Sequence, residues 1–193
     1  MLSLEESLKI LKETNALLDG HFILSSGLHS PQYVQCAKLM SKPEKAHKIC
    51  ASLSEKIIHE FKDFDLVLSP AIGGIVIGYE IGRLLKKETI FTERVDGKFV
   101  LRRDFLIKKN QRVVVVEDVI TTGKSSLECS NIIKKMSATI VGYACIIDRS
   151  NGKSLIKDKI VSQVQLSIPT YTKENLPKEL IGIDAIKPGS RNL

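Results

Sequence analysis

Short, continuous apolar runs alternate with longer amphipathic segments through the middle of the chain. The apolar runs predict buried strands at 65–70, 89–93, 113–116 and 140–147. The amphipathic segments predict helices at about 43–61, 74–86 and 122–136. Because the runs are uniformly apolar, they are typical of a mostly parallel sheet that helices cover on both faces. The pattern therefore predicts an α/β fold.

The two ends of the chain depart from this alternation. Apolar residues at helical spacing from Leu4 to Leu18 predict a first helix, and Ser3 and Glu6 form a capping-box sequence at its start. The stretch 21–37 predicts two short strands in an irregular appendage, and a last strand is predicted at 161–168. Both ends are therefore expected to lie outside the regular α/β repeat.

The composition argues against several classes of protein. The chain is 43% apolar and 26% charged, and its longest apolar runs are too short to span a membrane. Met1 is followed by the acidic residues Glu5 and Glu6, and not by the basic segment and apolar stretch of a secretory signal. A cytoplasmic protein is therefore expected. The four cysteines are scattered without a Cys-x-x-Cys pair, which predicts free thiols and neither a disulfide framework nor a metal site.

The formal net charge of +7 suits either a polyanion or a small, highly phosphorylated ligand. Aromatic residues make up only 5% of the chain and Trp is absent. Because single-stranded nucleic acids are held by aromatic stacking beside basic residues, this composition disfavours a nucleic-acid partner.

The segment from Val113 to Ser126 carries the most informative chemistry. A run of four valines leads into Glu117 and Asp118, and a loop of Thr, Gly and Ser residues then opens the predicted helix. The junction lies at the carboxyl edge of the predicted sheet, where open α/β sheets bind ligands. Backbone N–H groups at a helix start and neighbouring hydroxyls suit a phosphate.

The two carboxylates extend this prediction from a phosphate to a sugar phosphate. Glu117 and Asp118 would repel a phosphate unless they face another part of the ligand, and a sugar diol or a magnesium ion fits. The alternative is a solvated strand end before an ordinary capped helix. A triphosphate-binding P-loop is excluded, because Gly123-Lys124-Ser125 matches the end of that motif but Asp118 stands where its first glycine is required.

The same segment resembles the phosphoribosyl-pyrophosphate signature of type I phosphoribosyltransferases. The resemblance extends through most of the chain and is closest to the orotate phosphoribosyltransferases, at Phe22-Ile23-Leu24-Ser25-Ser26-Gly27, Ser30-Pro31-Gln32-Tyr33 and Ile147-Asp148-Arg149. It implies the type I phosphoribosyltransferase fold, with a mostly parallel sheet flanked by helices. It also implies a single domain over residues 1–193, with a small N-terminal hood over about 1–40 and a core over about 41–170.

The resemblance also implies which residues form the site. Those implied to bind phosphoribosyl pyrophosphate are Arg94, Glu117, Asp118, Val119, Ile120, Thr121, Thr122, Gly123, Lys124 and Ser125. Thr121 and Arg149 are implied to bind orotate, whose carboxylate suits a bidentate arginine. Lys98, four residues after Arg94, and Asp118 are the implied catalytic residues.

Two further segments resemble parts of the family's site. The turn Ser69–Gly74 resembles the pyrophosphate-side loop, although its glycines would equally serve a tight turn. The segment 93–103 resembles the mobile catalytic loop, and an exposed basic hairpin is the alternative. In this loop Val95 and Val100 replace a lysine and a histidine of many members, and we predict that Arg102 or Arg103 supplies missing charge. Ser25 and Gly73 likewise stand where many members carry lysine.

The implied reaction is displacement of pyrophosphate by a ring nitrogen of orotate, through an oxocarbenium-like sugar. Mg²⁺ is the expected cofactor, held by the donor's pyrophosphate and water and not by a protein metal site. The segment 95–111 is expected to close over the site, and the protein is expected to be a homodimer. The alternatives are a purine-base phosphoribosyltransferase and a non-catalytic regulator that binds nucleotide or RNA. Arg149 favours orotate, because a neutral purine offers no carboxylate.

Overall fold

The computed structural model of the chain describes residues 1–24 and 26–188. The described strands are β1 (Leu17–Ile23), β2 (His29–Val34), β3 (Leu66–Pro70), β4 (Glu88–Val95), β5 (Lys98–Leu101), β6 (Arg112–Ile120), β7 (Thr139–Asp148) and β8 (Ile160–Gln165). The described α-helices are α1 (Leu4–Glu13), α2 (Cys36–Met40), α3 (Pro43–Glu60), α4 (Gly73–Leu85) and α5 (Lys124–Lys135). Two 3₁₀ turns follow at Lys173–Asn175 and Lys178–Leu180. No helix in the described residues has the length and apolarity needed to cross a membrane.

Six of the strands form one sheet in the order β5-β4-β3-β6-β7-β8. Neighbouring strands from β4 to β8 are parallel, and only β5 runs antiparallel to its neighbour β4. The prediction of a mostly parallel sheet is therefore confirmed. In such a sheet the carboxyl ends of β3, β4, β6 and β7 share one edge.

The valine run of β6 is buried on both faces of this sheet. Because successive strand residues point to opposite faces, Val114 and Val116 join the core under α3 and α4. Val113 and Val115 join the core under α5, with Cys129 and Ile133 of that helix. Full burial of each such side chain contributes roughly 1.5–3 kcal/mol, so the strand that carries the acidic pair is firmly anchored.

The β1–β2 hairpin is joined by residues near the other end of the chain. Phe22 of β1 bridges to Ile186, and His29 of β2 bridges to Tyr171. The buried rings of His21 and His29 form a 2.6 Å hydrogen bond between Nε2 and Nδ1. The hairpin is thus held by segments more than a hundred residues away in sequence, which no local pattern indicated.

The first helix is shorter than its apolar spacing predicts. Its capping box forms between Ser3 and Glu6, as expected, but the helix ends at Glu13. The Thr14 hydroxyl donates to the carbonyls of Ile10 and Leu11 at 2.8 and 3.1 Å. Asn15 then takes a positive φ of 56°, so the leucines at 17 and 18 belong to β1 and not to the helix.

The basic segment after β4 also differs from the prediction of a loop. β4 continues to Val95, and β5 returns alongside it with Val95 paired to Lys98. The two residues between them, Asp96 and Gly97, have φ values of 49° and 77°. A two-residue turn with positive φ at both positions matches the right-handed twist of a hairpin. Residues 94–101 therefore form a β-hairpin, which we call the basic hairpin.

Candidate active site

The predicted site residues lie on strand ends at one edge of the sheet. β6 and β7 are in register up to the pair Ile120 and Asp148, and the Arg149 N–H donates to the Ile120 carbonyl at 2.8 Å. The turn after β3 lies at the same edge, and its Ala71 N–H donates to Thr92 of β4 at 2.8 Å. Residues distant in sequence are brought together because four parallel strands end here.

The turn from β6 into α5 is built around Gly123. This residue caps the helix with a φ of 77°, a conformation that favours glycine. A Cβ at Gly123 would lie 2.7 Å from Ser154 Oγ and 2.8 Å from Ile156 Cδ1, so the turn is also closely packed. The Leu155 N–H fixes it further by donating to the Thr122 carbonyl at 2.9 Å. The backbone N–H groups at the start of α5 follow directly, in the arrangement that binds phosphate.

Glu117 sits inside β6 and not beyond its end, as the strand continues to Ile120. Burial raises the pKa of Glu117 to about 7, although the Ser126 hydroxyl donates to its Oε2 and Arg94 adds positive charge nearby. Ser126 is itself fully buried in the first turns of α5. The carboxylate is thereby tied to α5, the helix that begins directly after the Gly123 turn.

Asp118 faces the turn that follows β3. A Cβ at Gly73 would lie 2.7 Å from Asp118 Oδ2, so no side chain fits between the two without displacing that carboxylate. Burial raises the pKa of Asp118, against the opposing effect of the backbone N–H groups of Val119 and Asp118. Gly73, where many family members carry lysine, therefore allows the turn to approach Asp118 closely.

The arginines in and directly after the basic hairpin pair with acidic side chains. Arg94 Nη1 and Nη2 contact the Glu128 carboxylate of α5 at 3.1 and 3.3 Å. Arg103 Nε donates to Glu93 at 2.7 Å, and Arg102 Nη1 lies 3.6 Å from the same carboxylate. Glu93 and Arg94 are neighbours in β4, so their side chains point to opposite faces of the sheet. The two arginines that contact Glu93 therefore lie on the opposite side of β4 from Arg94. Lys98 is exposed on β5.

Arg149 is partly buried beside the end of β6. Its Nε is fully buried and has no hydrogen-bond partner among the described residues. Burial lowers the pKa of this guanidinium. A buried, unpaired arginine donor is costly, and a ligand carboxylate would satisfy it. Thr121 is exposed at the same edge, whereas Ser25 lies outside the described residues.

Two contributors to this site were not predicted. Glu128 was not singled out, because the 34 residues that separate it from Arg94 carry no periodic signal that would pair them. The hydrogen bond from Ser126 to Glu117 was also not predicted. The two residues are nine positions apart, a separation that covers the end of a strand, a turn and one helical turn. This spacing could have indicated the contact.

The chain is similar to proteins of known family. The family model for the phosphoribosyl transferase domain matches residues 40–174. An orotate phosphoribosyltransferase of Parvibaculum lavamentivorans is 48% identical over 190 residues, which cover 98% of this chain and 98% of that protein. The chain belongs to the orotate phosphoribosyltransferase family.

Two further members of the orotate phosphoribosyltransferase family agree with this assignment. The orotate phosphoribosyltransferase of Methylorubrum extorquens is 47% identical and covers 98% of this chain and 97% of its own. The crystal structure of orotate phosphoribosyltransferase from Aeropyrum pernix superposes with a TM-score of 0.72 at 26% identity, over 82% of this chain and 92% of that one. The type I phosphoribosyltransferase fold expected from the sequence is confirmed.

Proposed function

We propose that this protein transfers ribose 5-phosphate from phosphoribosyl pyrophosphate to orotate, which yields orotidine 5'-monophosphate and pyrophosphate for the synthesis of UMP. The observation that carries the choice of acceptor is Arg149, whose buried Nε has no partner among residues 1–24 and 26–188 and lies at the edge that holds the acidic pair. Orotate carries a carboxylate that this guanidinium can bind, whereas a neutral purine does not.

The donor's ribose 5-phosphate is assigned to β6 and the turn that follows it. The residues from Thr121 to Ser125 offer backbone N–H groups and hydroxyls to the 5-phosphate. Glu117 and Asp118 accept hydrogen bonds from the ribose hydroxyls, and their negative charge favours the positive charge that develops on the ring. Val119 and Ile120 are the last residues of β6 and connect the two carboxylates to the turn at the sheet edge.

Mg²⁺ is the proposed cofactor, and the oxygen-rich edge fits it. Asp118 supplies the carboxylate oxygens that Mg²⁺ prefers, and it faces the turn at Gly73 that resembles the family's pyrophosphate-side loop. The donor's pyrophosphate and water would hold the ion, with Asp118 in contact through water, and the ion would supply charge neutralisation for the departing pyrophosphate. The glycine at position 73 leaves this face of Asp118 free of any side chain from the turn.

The basic hairpin is assigned to the leaving pyrophosphate. Lys98 is exposed there and stabilises or protonates departing oxygens, while Arg94 binds them. The hairpin and the residues up to about 111 close over the site and exclude water, which would otherwise hydrolyse the donor.

A panel of acceptor bases tests the proposed function directly. The purified protein is incubated with phosphoribosyl pyrophosphate and Mg²⁺, and the loss of orotate, uracil, adenine and hypoxanthine is followed with the release of pyrophosphate. We expect orotate to be consumed in proportion to pyrophosphate, and consumption to stop when Mg²⁺ is chelated. Consumption of a purine in place of orotate, or of no base at all, contradicts the proposal.

We also propose that the protein is a homodimer. Ile72, Val76 and Tyr79 lie at helical spacing around the start of α4 and are 86%, 52% and 65% exposed. Val76 and Tyr79 line a groove of about 640 Å³ whose wall includes Met40 and Pro43. A second copy of the chain that covers this face would remove the apolar side chains from water and would lie beside the turn after β3.

Light scattering during gel filtration measures this assembly. We expect twice the 21.5 kDa chain mass for the unaltered protein and a shift towards the monomer for Val76→Glu and Tyr79→Glu. Ile58→Glu, at another exposed apolar position, is the matched control. A monomeric unaltered protein, or a dimer that tolerates both charges, contradicts the proposal.

A cytoplasmic location is proposed from the state of the cysteines. All four are buried free thiols. Unpaired thiols are typical of a reducing compartment, where disulfides do not persist. Fractionation of cells that produce the protein would test this location.

A further inference from the structure

The contact between Arg94 and Glu128 joins two parts of the proposed site. Arg94 lies at the end of β4 in the basic hairpin, and Glu128 lies on α5, one turn beyond the phosphate-binding start of that helix. Both guanidinium nitrogens Nη1 and Nη2 contact the carboxylate, at 3.1 and 3.3 Å. Such a two-point contact fixes the plane of the guanidinium as well as its position.

Other contacts of Arg94 hold the same orientation. Its Nη1 donates to the Gly97 carbonyl at 2.6 Å, within the turn of the hairpin. Its guanidinium carbon lies 4.0 Å from the centre of the buried Phe99 ring, so one face of the group is covered. The side chain remains 42% exposed, so one side of the cation stays accessible to a ligand.

We propose that Glu128 is a positioning residue that holds Arg94 at a fixed distance from the 5-phosphate turn. This inference rests on the proposed function, in which Arg94 binds the pyrophosphate end of the donor and the start of α5 binds its other end. Because Glu128 belongs to α5, its contact with Arg94 sets the distance between the Arg94 guanidinium and the start of that helix. These are the two groups proposed to bind the donor's anionic ends. A donor molecule with phosphates at both ends then meets groups that are already oriented, and less entropy is lost on binding.

The opposite role makes a different prediction for the same residue. If the contact with Glu128 instead kept Arg94 away from the donor, removal of the Glu128 carboxylate would strengthen donor binding. If it positions Arg94, its removal weakens donor binding and leaves orotate unaffected. The two roles therefore differ in the sign of one measurable change.

A double-mutant cycle over Arg94→Ala and Glu128→Gln decides between them. The Michaelis constants of both substrates are measured for the four proteins at saturating Mg²⁺, and donor binding is titrated without orotate. For Glu128→Gln we expect donor binding to weaken roughly threefold to fivefold, as for a partly exposed charged pair. The Michaelis constant for orotate should change less than about twofold, because the contact lies on the donor side.

The coupling between the two substitutions separates positioning from a structural role. In the Arg94→Ala background, Glu128→Gln should have no further effect on donor binding, because Glu128 acts through Arg94. Glu60→Gln is the matched control, since Glu60 pairs with Lys159 at the opposite edge of the sheet.

Three outcomes would overturn the proposal: unchanged donor binding in Glu128→Gln, tighter donor binding, or an equal loss in the Arg94→Ala background. The titration without orotate keeps this test separate from the proposed function. A protein that binds the donor but consumes no orotate contradicts the function and leaves the role of Glu128 measurable.

Discussion

The turn from β6 into α5, which is proposed to bind the 5-phosphate, and the basic hairpin have different kinds of structural support. The turn is fixed by the backbone, through the positive φ of Gly123, its close packing on Ile156 and the bond from Leu155 to Thr122. Arg94 of the hairpin is held mainly by side-chain contacts, chiefly its pair with Glu128. The turn is thus positioned by its own backbone, and the cation of the hairpin by neighbouring side chains.

This difference matches the two tasks that the proposed reaction sets. The ribose 5-phosphate must be held throughout the reaction, which favours groups that do not rearrange. The pyrophosphate must be enclosed and then released, which favours a segment that moves at little cost. Exposed ion pairs contribute only about 0–1 kcal/mol each, so the pairs of Arg102 and Arg103 with Glu93 do little to hold this segment in place.

The largest effect is expected in the fixed region. Asp118→Asn should lower kcat/KM by roughly 100-fold to 1000-fold, because it removes negative charge beside the developing positive charge of the ribose. Burial raises the pKa of Asp118, so its ionised form is disfavoured in the folded protein and the thermal midpoint should not fall. Steady-state kinetics and thermal unfolding measure the two effects. Unchanged activity would remove Asp118 from the site.

In the movable region, Lys98 should give the next largest effect. Lys98→Ala is expected to lower kcat about 100-fold and to weaken donor binding less than about threefold, because its charge is most useful when pyrophosphate departs. Single-turnover kinetics isolates this step. An equal loss in donor binding would show that Lys98 serves the ground state and not the leaving group.

Arg149 tests whether the fixed region also selects the acceptor. Arg149→Ala should weaken orotate binding by about 1.5–3 kcal/mol, the value of a charge-assisted hydrogen bond, and leave donor binding nearly unchanged. Arg149→Lys keeps the charge but cannot bind a carboxylate at two points, so it should recover only part of the loss. Titrations with each substrate separately measure both constants. Equal losses for the two substrates would argue against a role in acceptor choice.

The same two regions show what the sequence could predict. The turn after β6 was predicted from residues 113–126, because a buried strand, an acidic pair and a helix start follow each other directly in the chain. The basic hairpin was predicted as a loop, although Asp96-Gly97 is a turn sequence that favours a two-residue hairpin. β5 was not predicted because the strand has only four residues and lies at the edge of the sheet.

Contacts between distant segments were not predictable at all. The pairing of the β1–β2 hairpin with Tyr171 and Ile186 depends on the folded arrangement of both chain ends. The same holds for Arg94 and Glu128, whose contact requires the sheet to be assembled first. Local periodicity reports burial and element type, but it carries no information about which side chains meet across elements.

The pH dependence of stability should reveal how firmly Glu117 is built into the fixed region. The pKa of Glu117 rises from an ordinary value of 4.5 to about 7, so the folded state binds its proton more tightly than the unfolded state. The resulting stabilisation is complete below pH 4.5 and is lost as the pH rises through 7.

The Glu117→Gln variant has no titratable group at this position, so its stability does not fall as the pH rises through 7. The difference in unfolding free energy between this variant and the unaltered protein should therefore shift in the variant's favour by about 2–3 kcal/mol between pH 5 and pH 8. Denaturant unfolding over this pH range measures it, with the exposed Glu60→Gln as a control. A difference that is constant with pH would show that Glu117 is ordinarily solvated.

The smallest effects are expected from the two arginines at the base of the basic hairpin. Arg102 and Arg103 are both directed at Glu93, whose carboxylate offsets their charge on the side of β4 opposite to Arg94. Arg102→Ala and Arg103→Ala should therefore each change kcat less than about threefold and stability less than about 1 kcal/mol, as for exposed ion pairs. Single-turnover rates beside those of Lys98→Ala provide the test. If an arginine variant loses turnover while Lys98→Ala keeps it, the hairpin uses arginine for the leaving group and must rearrange around Glu93 when it closes.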